Sequence, residues 1–160
     1  MSRSVSVERI VDASPEAVFE VLADPSQHPV IDGSGMVRAS VPGAGRLSLG
    51  AEFGMSMRMG VPYSMVNEVV EYEAGRRIAW TPRMGGPALV RRLGRALNGP
   101  TWRYELEPVG SGTRVCETYD WSSANAGSRL YILAAGWPRR AERAMTATLT
   151  RLADHVRAKS

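Results

Sequence analysis

Glu117 carries the most informative carboxylate in the sequence. It lies in the stretch 113–121, where two-residue alternation places it on one strand face with Val115, Tyr119 and Trp121. A carboxylate on an apolar face needs a partner or a proton, because burial disfavours its charged form. Groups perturbed in this way recur in functional sites, so Glu117 and Tyr119 are the candidate acid–base residues. The competing reading is the opposite strand phase, with Cys116 and Thr118 turned inward and Glu117 in solvent. His28 and Asp32, four apart, form a second candidate, since a His–Asp pair can act as a general base. No nucleophile or metal ligand completes a constellation around them. A structural pair at the end of a short helix is therefore the preferred reading, and His155 reads as a partly exposed residue of the last helix.

The usual marks of other chemistries are absent. There is no HExxH, GxGxxG, Walker-type loop, GxSxG or Cys–His pair. Metal hydrolysis, dinucleotide redox chemistry and acyl transfer at a nucleophile elbow thus lose their signatures. Cys116 is the only cysteine, which excludes an intrachain disulfide and a cysteine-rich metal site.

The remaining features point to binding. Met55, Met57 and Met59 recur at every second residue of 52–59, and Met65 extends the stripe if the next strand is in register. Thioethers adapt to irregular guests, although the same stripe also suits ordinary core filling. Trp80, Trp102, Tyr104, Tyr119 and Trp121 lie on neighbouring strands. Large rings with one polar edge suit a mostly apolar ligand bearing a few polar groups.

The seven arginines at 76, 77, 83, 91, 92, 95 and 103 fall in a stretch without Asp or Glu. The chain is +4 overall, so the rest is left net negative and the basicity is a local block. Of 20 basic residues only Lys159 is lysine, a bias toward arginine that argues little for a nucleic-acid surface. Nucleic acid is not the expected partner. Within the block, 87–98 has Leu89, Leu93 and Leu97 on one helical face and Arg91, Arg92 and Arg95 on the other. Such a segment could form a lid, or touch an anionic membrane transiently through 83–98; Gly94 weakens the helix, and a plain loop is the alternative.

The elements that must position these residues follow from local signals. A first strand is expected over 4–12. Ser14-Pro15 then opens a helix with an N-cap and a proline at its first position, Val18, Phe19 and Leu22 form its apolar stripe, and Asp24-Pro25 stops it. A second short helix is expected over 26–32, then strands over 36–41, 52–59, 63–73, 76–81, 101–109 and 113–121. From 138 to about 157, Ala141, Met145, Thr148, Leu149, Leu152 and Val156 recur at three- and four-residue spacing, the stripe of a long amphipathic helix. A one-faced sheet and one long apolar helix leave a single economical packing, the sheet wrapped on the helix, and a hollow is its expected by-product.

Three stretches, 14–25 (SPEAVFEVLADP), 67–80 (NEVVEYEAGRRIAW) and 110–121 (GSGTRVCETYDW), together with this element order, resemble the START-related (SRPBCC) superfamily in its polyketide cyclase/dehydrase-like branch. The resemblance covers nearly the whole chain. It implies a helix-grip fold with a hydrophobic cavity, no metal and usually no cofactor, and members that bind lipids, polyketides, sterols or plant hormones or, in a few cases, catalyse cyclisation or dehydration. One departure is a longer connection between the strands ending near Thr81 and starting at Thr101, at the pocket mouth.

The expectation is therefore a single α+β helix-grip domain over 1–160. Its curved antiparallel sheet has six to seven strands, with two short N-terminal helices and one long C-terminal helix. It would bind or transport a lipid- or polyketide-like molecule among Met55, Met57, Met59, Met65, Trp80, Trp102, Tyr104, Glu117, Tyr119, Trp121, Met145 and Leu149. A cofactor-free aromatase/cyclase or dehydratase is the alternative. The N-terminus meets Glu8, Arg9 and Asp12 with no basic-then-apolar leader, and the longest apolar run, 130–137, is well short of the ~18 residues a membrane span needs. A cytoplasmic location is expected.

Overall fold

The computed structural model describes residues 2–43, 45–89, 92 and 98–159. The chain runs β1 (Ser4–Val11), α1 (Pro15–Ala23), a 3-10 turn (Pro25–Gln27), α2 (His28–Ile31), β2 (Val37–Ser40), β3 (Glu52–Met59), β4 (Val61–Glu73), β5 (Arg77–Met84), β6 (Thr101–Val109), β7 (Gly112–Asp120), α3 (Ala126–Ala134) and α4 (Trp137–Lys159). The strands form one antiparallel sheet in the order β1-β7-β6-β5-β4-β3-β2. A register shift between Val69 and Glu71 marks a bulge in β4, which sharpens the curl and changes which residues face inward.

The punctuation works as its chemistry dictates. Ser14 Oγ accepts a hydrogen bond from the Ala17 amide at the start of α1. Asp24 ends α1 and its carboxylate accepts from the Ser26 amide at 2.9 Å, so one residue closes one helix and caps the next turn. Two elements differ from expectation. Helix α3 is new, capped by Asn125, whose side chain accepts from the Ser128 amide. Strand β5 continues to Met84, which shortens the connection to β6 from the β5 side. The amphipathic helix expected over 87–98 lies largely outside the described residues.

Helix α4 buries the expected stripe, Ala141 through Val156, against β1 and β7. Val18, Phe19 and Leu22 of α1 are buried in the same core cluster as Leu149, Leu152 and Val156 of α4. The corner after α2 closes directly on α4. The Gly33 amide donates to Thr148 Oγ1 at 2.9 Å, and the Arg151 guanidinium donates to the Asp32 carbonyl. The backbones approach so closely that a Cβ on Gly33 would lie 2.3 Å from the Ala144 carbonyl oxygen. Only glycine fits there.

Candidate functional site

The register brings aromatic and polar side chains together on the concave face. Trp80 stands opposite Trp102, Trp102 opposite Tyr119, and Tyr104 between Ile78 and Glu117. Met65 stands opposite both Met55 and Met84. Met55, Trp80, Tyr104 and Leu149 share one buried cluster, and Tyr119, Trp121 and Met145 share another. Trp102 packs against both. Met57 and Met65 are half-buried, while Met59 is 49% exposed and stands beyond the buried lining. The apolar face therefore does not stop at the core. It continues through Met57 and Met65 to Met59 and Met84 at the end of the sheet, where Val61, opposite Met59, is exposed as well.

Glu117 faces inward and is 3% exposed. Its Oε1 accepts a hydrogen bond from the Tyr104 hydroxyl at 2.7 Å, and Oε2 has no hydrogen-bond partner among the described residues. Burial pushes the carboxyl up to about 8, against the opposing pull of the Tyr104 bond, so the group carries a proton at neutral pH. The same burial, with Glu117 alongside, raises the Tyr104 phenol well above its ordinary range. Tyr119 is also shifted upward by burial, but the tyrosine that bonds Glu117 is Tyr104. On the outer face Thr118 bonds the Ser6 hydroxyl at 2.8 Å.

His28 is buried, but Asp32 is not its side-chain partner. The Asp32 carboxylate accepts from the Ser34 amide (3.0 Å), the Ser34 hydroxyl (2.7 Å) and the Val37 amide (3.0 Å), folding the corner that leads into β2. Four-residue spacing allowed a His–Asp pair, but α2 ends at Ile31, and Asp32 beyond it serves the loop. His28 Nε2 lies 2.8 Å from the Leu22 carbonyl oxygen. A carbonyl only accepts, so Nε2 bears the proton and Nδ1 is a bare acceptor without a partner among the described residues. Burial lowers the His28 pKa and keeps the ring neutral. The ring stacks on Trp80 at 5.0 Å and meets the edge of Phe53 at 5.4 Å.

Asn67 is the residue that sequence reasoning missed. It stands opposite Phe53, is buried, and its Nδ2 has no partner among the described residues. A usable signal existed. Alternation along β4 places Asn67 between Met65 and Val69 on the methionine face, and a lone amide there has no structural duty in the sequence.

The opposite face of the sheet is charged. A depression of about 400 Å³ is lined there by Glu71, Glu73, Arg77, Arg103 and Glu105, with Tyr72 at its edge. Arg103 donates to both Glu71 oxygens at 2.6–3.1 Å and holds that carboxyl below its usual range. Arg77 pairs with Glu105 at 3.2 Å, Arg83 with Glu68 at 3.0 Å and Arg76 with Glu73 at 2.7 Å. Arg77, Arg83 and Arg103, free of acids along their own stretch, acquire them across the sheet. Arg91 and Arg95 lie outside the described residues. Among the described residues no group of three His, Cys, Asp or Glu side chains could hold a metal, and no helix is long and apolar enough to cross a membrane.

A curled antiparallel sheet gripping a long C-terminal helix defines the helix-grip class of α+β proteins. Residues 2–157 match the family described as polyketide cyclase / dehydrase and lipid transport, and the chain belongs to that family. It is 31% identical to the uncharacterized protein Rv0088 of Mycobacterium tuberculosis over 96% of this chain, and spans 62% of that protein's length. Protein Ms6760 from Mycobacterium smegmatis has the same fold, with a TM-score of 0.68 at 14% identity over 99% of this chain and 94% of that one. The AHSA1 (SPO3351) protein from Silicibacter pomeroyi aligns with a TM-score of 0.64 at 16% identity, covering 98% of this chain and 99% of that one. At these identities the likeness to the two solved structures shows the fold alone.

Proposed function

We propose that the protein binds or carries a hydrophobic small molecule, lipid- or polyketide-like, between the concave face of its sheet and α4. The observation that carries this reading is the apolar lining that runs unbroken from buried Met55 to Met59 and Met84, each 49% exposed. A face meant only for the core would end at the core. The lining residues would be Met55, Met57, Met65, Trp80, Trp102, Tyr104, Tyr119, Trp121, Met145 and Leu149, with Met59 at the entrance. The family description, which includes lipid transport, supports the same reading. Native mass spectrometry of freshly purified protein, followed by thermal unfolding with a panel of lipophiles, tests it. A ligand at 100 times its Kd adds about 2.7 kcal/mol, or roughly 5–10 °C in Tm for a chain of this size. No retained apolar mass, and no lipophile that raises Tm, would remove the proposal.

A second reading is cofactor-free cyclisation or dehydration, favoured by the protonated Glu117 held against Tyr104. Glu117 would act as acid and Tyr104, rather than Tyr119, would set its position. Turnover of a poly-β-ketone that survives Glu117→Gln unchanged would exclude it.

The protein would work in the cytoplasm and touch anionic membrane transiently through 83–98. Leu89 and Arg92, both exposed, support the contact. Co-sedimentation with phosphatidylglycerol vesicles should occur at low salt and fade at physiological salt. Salt-independent binding, or none, contradicts it.

A further inference from the structure

Three buried polar atoms on the concave side have no hydrogen-bond partner among the described residues: His28 Nδ1, Asn67 Nδ2 and Glu117 Oε2. Each belongs to a side chain with 5% exposure or less. Leaving such a group unpaired costs free energy, so three on one side of a sheet call for a shared explanation.

Their side chains are linked through one set of packed rings. Phe53 touches the His28 ring and stands opposite Asn67, which puts the histidine acceptor and the amide donor on the same side of the sheet. His28 stacks on Trp80, Trp80 packs at 5.4 Å on Tyr104, and Tyr104 bonds Glu117, which places the carboxyl across the same aromatic floor. Nε2 of His28 points to Leu22 of α1, and the two ring nitrogens point nearly opposite ways. Nδ1 therefore points away from Leu22.

The chemistry of these atoms selects a guest. Nδ1 of His28 accepts and Nδ2 of Asn67 donates. A hydroxyl satisfies both with a single oxygen, because it donates once and accepts twice, whereas a ketone or ester oxygen only accepts. A carboxylate or phosphate would bring a buried charge, and among the described residues no arginine or lysine is buried to receive it. We infer that the guest is an uncharged amphiphile whose hydroxyl end is held by His28 and Asn67, with Glu117 available to a second oxygen on the guest. The inference rests on the concavity being the binding space.

The test compares 1-dodecanol, dodecanoate and dodecane at pH 7, read by intrinsic tryptophan fluorescence and by thermal unfolding. Dodecanol should bind roughly ten-fold or more tightly than the other two, since one interior hydrogen bond of ordinary strength is worth about that factor. Asn67→Leu should bring dodecanol down to the affinity of dodecane and leave dodecane unweakened, and Asn67→Ala serves the same purpose if the leucine variant does not fold. Equal binding of dodecanol and dodecane, dodecanoate binding as tightly as the alcohol, or indifference to Asn67 would each overturn the hydroxyl assignment while leaving an apolar site in place. Failure of all three probes would instead bring down the binding reading itself, and this inference with it.

Discussion

Gly33→Ala should cost at least ~3 kcal/mol of stability, a drop of roughly 6–12 °C in Tm. The methyl would meet the Ala144 carbonyl oxygen and the Thr148 amide nitrogen at 2.3 Å, and both are backbone atoms of α4 that no side-chain rotation can move. Relief requires the corner after α2 to lift from α4, which would also break the Gly33–Thr148 hydrogen bond. Gly35 is the control. It sits at φ +70 with open space around its Cβ position, so alanine there meets only the conformational penalty, about 1–2 kcal/mol. Urea unfolding of the two variants in parallel should show the larger loss at Gly33. Equal losses would mean that α4 and the corner are not held at this distance.

The second large effect is a pH dependence centred on Glu117. The carboxyl loses its proton near 4.5 in the unfolded chain and at about 8 in the folded protein. Between those values unfolding releases a proton. Stability is thus fully present below about pH 4.5, declines as the pH rises, and levels off above about 8, with a total loss of about 4–5 kcal/mol. Glutamine has the same shape and no proton to lose. Glu117→Gln should match the parent near pH 5 and exceed it by several kcal/mol at pH 8 to 9. His28 acts at the other end of the range. Its lowered pKa means the unfolded chain takes up a proton first, so stability falls as the pH drops below about 6.5. Stability curves for parent and variant that stay parallel from pH 5 to 9 would show that Glu117 is not buried as described.

Much of this fold was legible because local chemistry and tertiary packing agree. Ser14-Pro15, Asp24-Pro25, the alternation in 52–59 and 101–109, and the stripe of α4 each say one thing, and the structure obeys. Helix α3 was not legible, since its segment runs into the apolar stretch 130–137 and its cap, Asn125, lies in a Ser/Asn/Gly-rich stretch that also reads as a loop. The site was half legible. Alternation correctly turned Glu117 inward, but its partner is a cross-strand neighbour, and cross-strand register between β6 and β7 is set by the hairpin rather than by either strand alone. His28 was noticed for the wrong reason: its spacing to Asp32 is real, but the carboxylate is drawn to the amides of the next turn. The acids that pair with Arg77, Arg83 and Arg103 arrive on other strands, which charge counted along the chain does not show.

An apolar guest bound between the sheet and α4 would touch the methionines that line that face. The most direct measurement is a 13C-methyl methionine NMR titration with 1-dodecanol, which gives separate probes along the lining. Met55, Met57, Met65 and Met145 should shift together and saturate at one ligand per chain. Shifts confined to Met59 and Met84 at the outer edge, or no shift in any methionine at saturating alcohol, would mean that no guest enters between the sheet and α4.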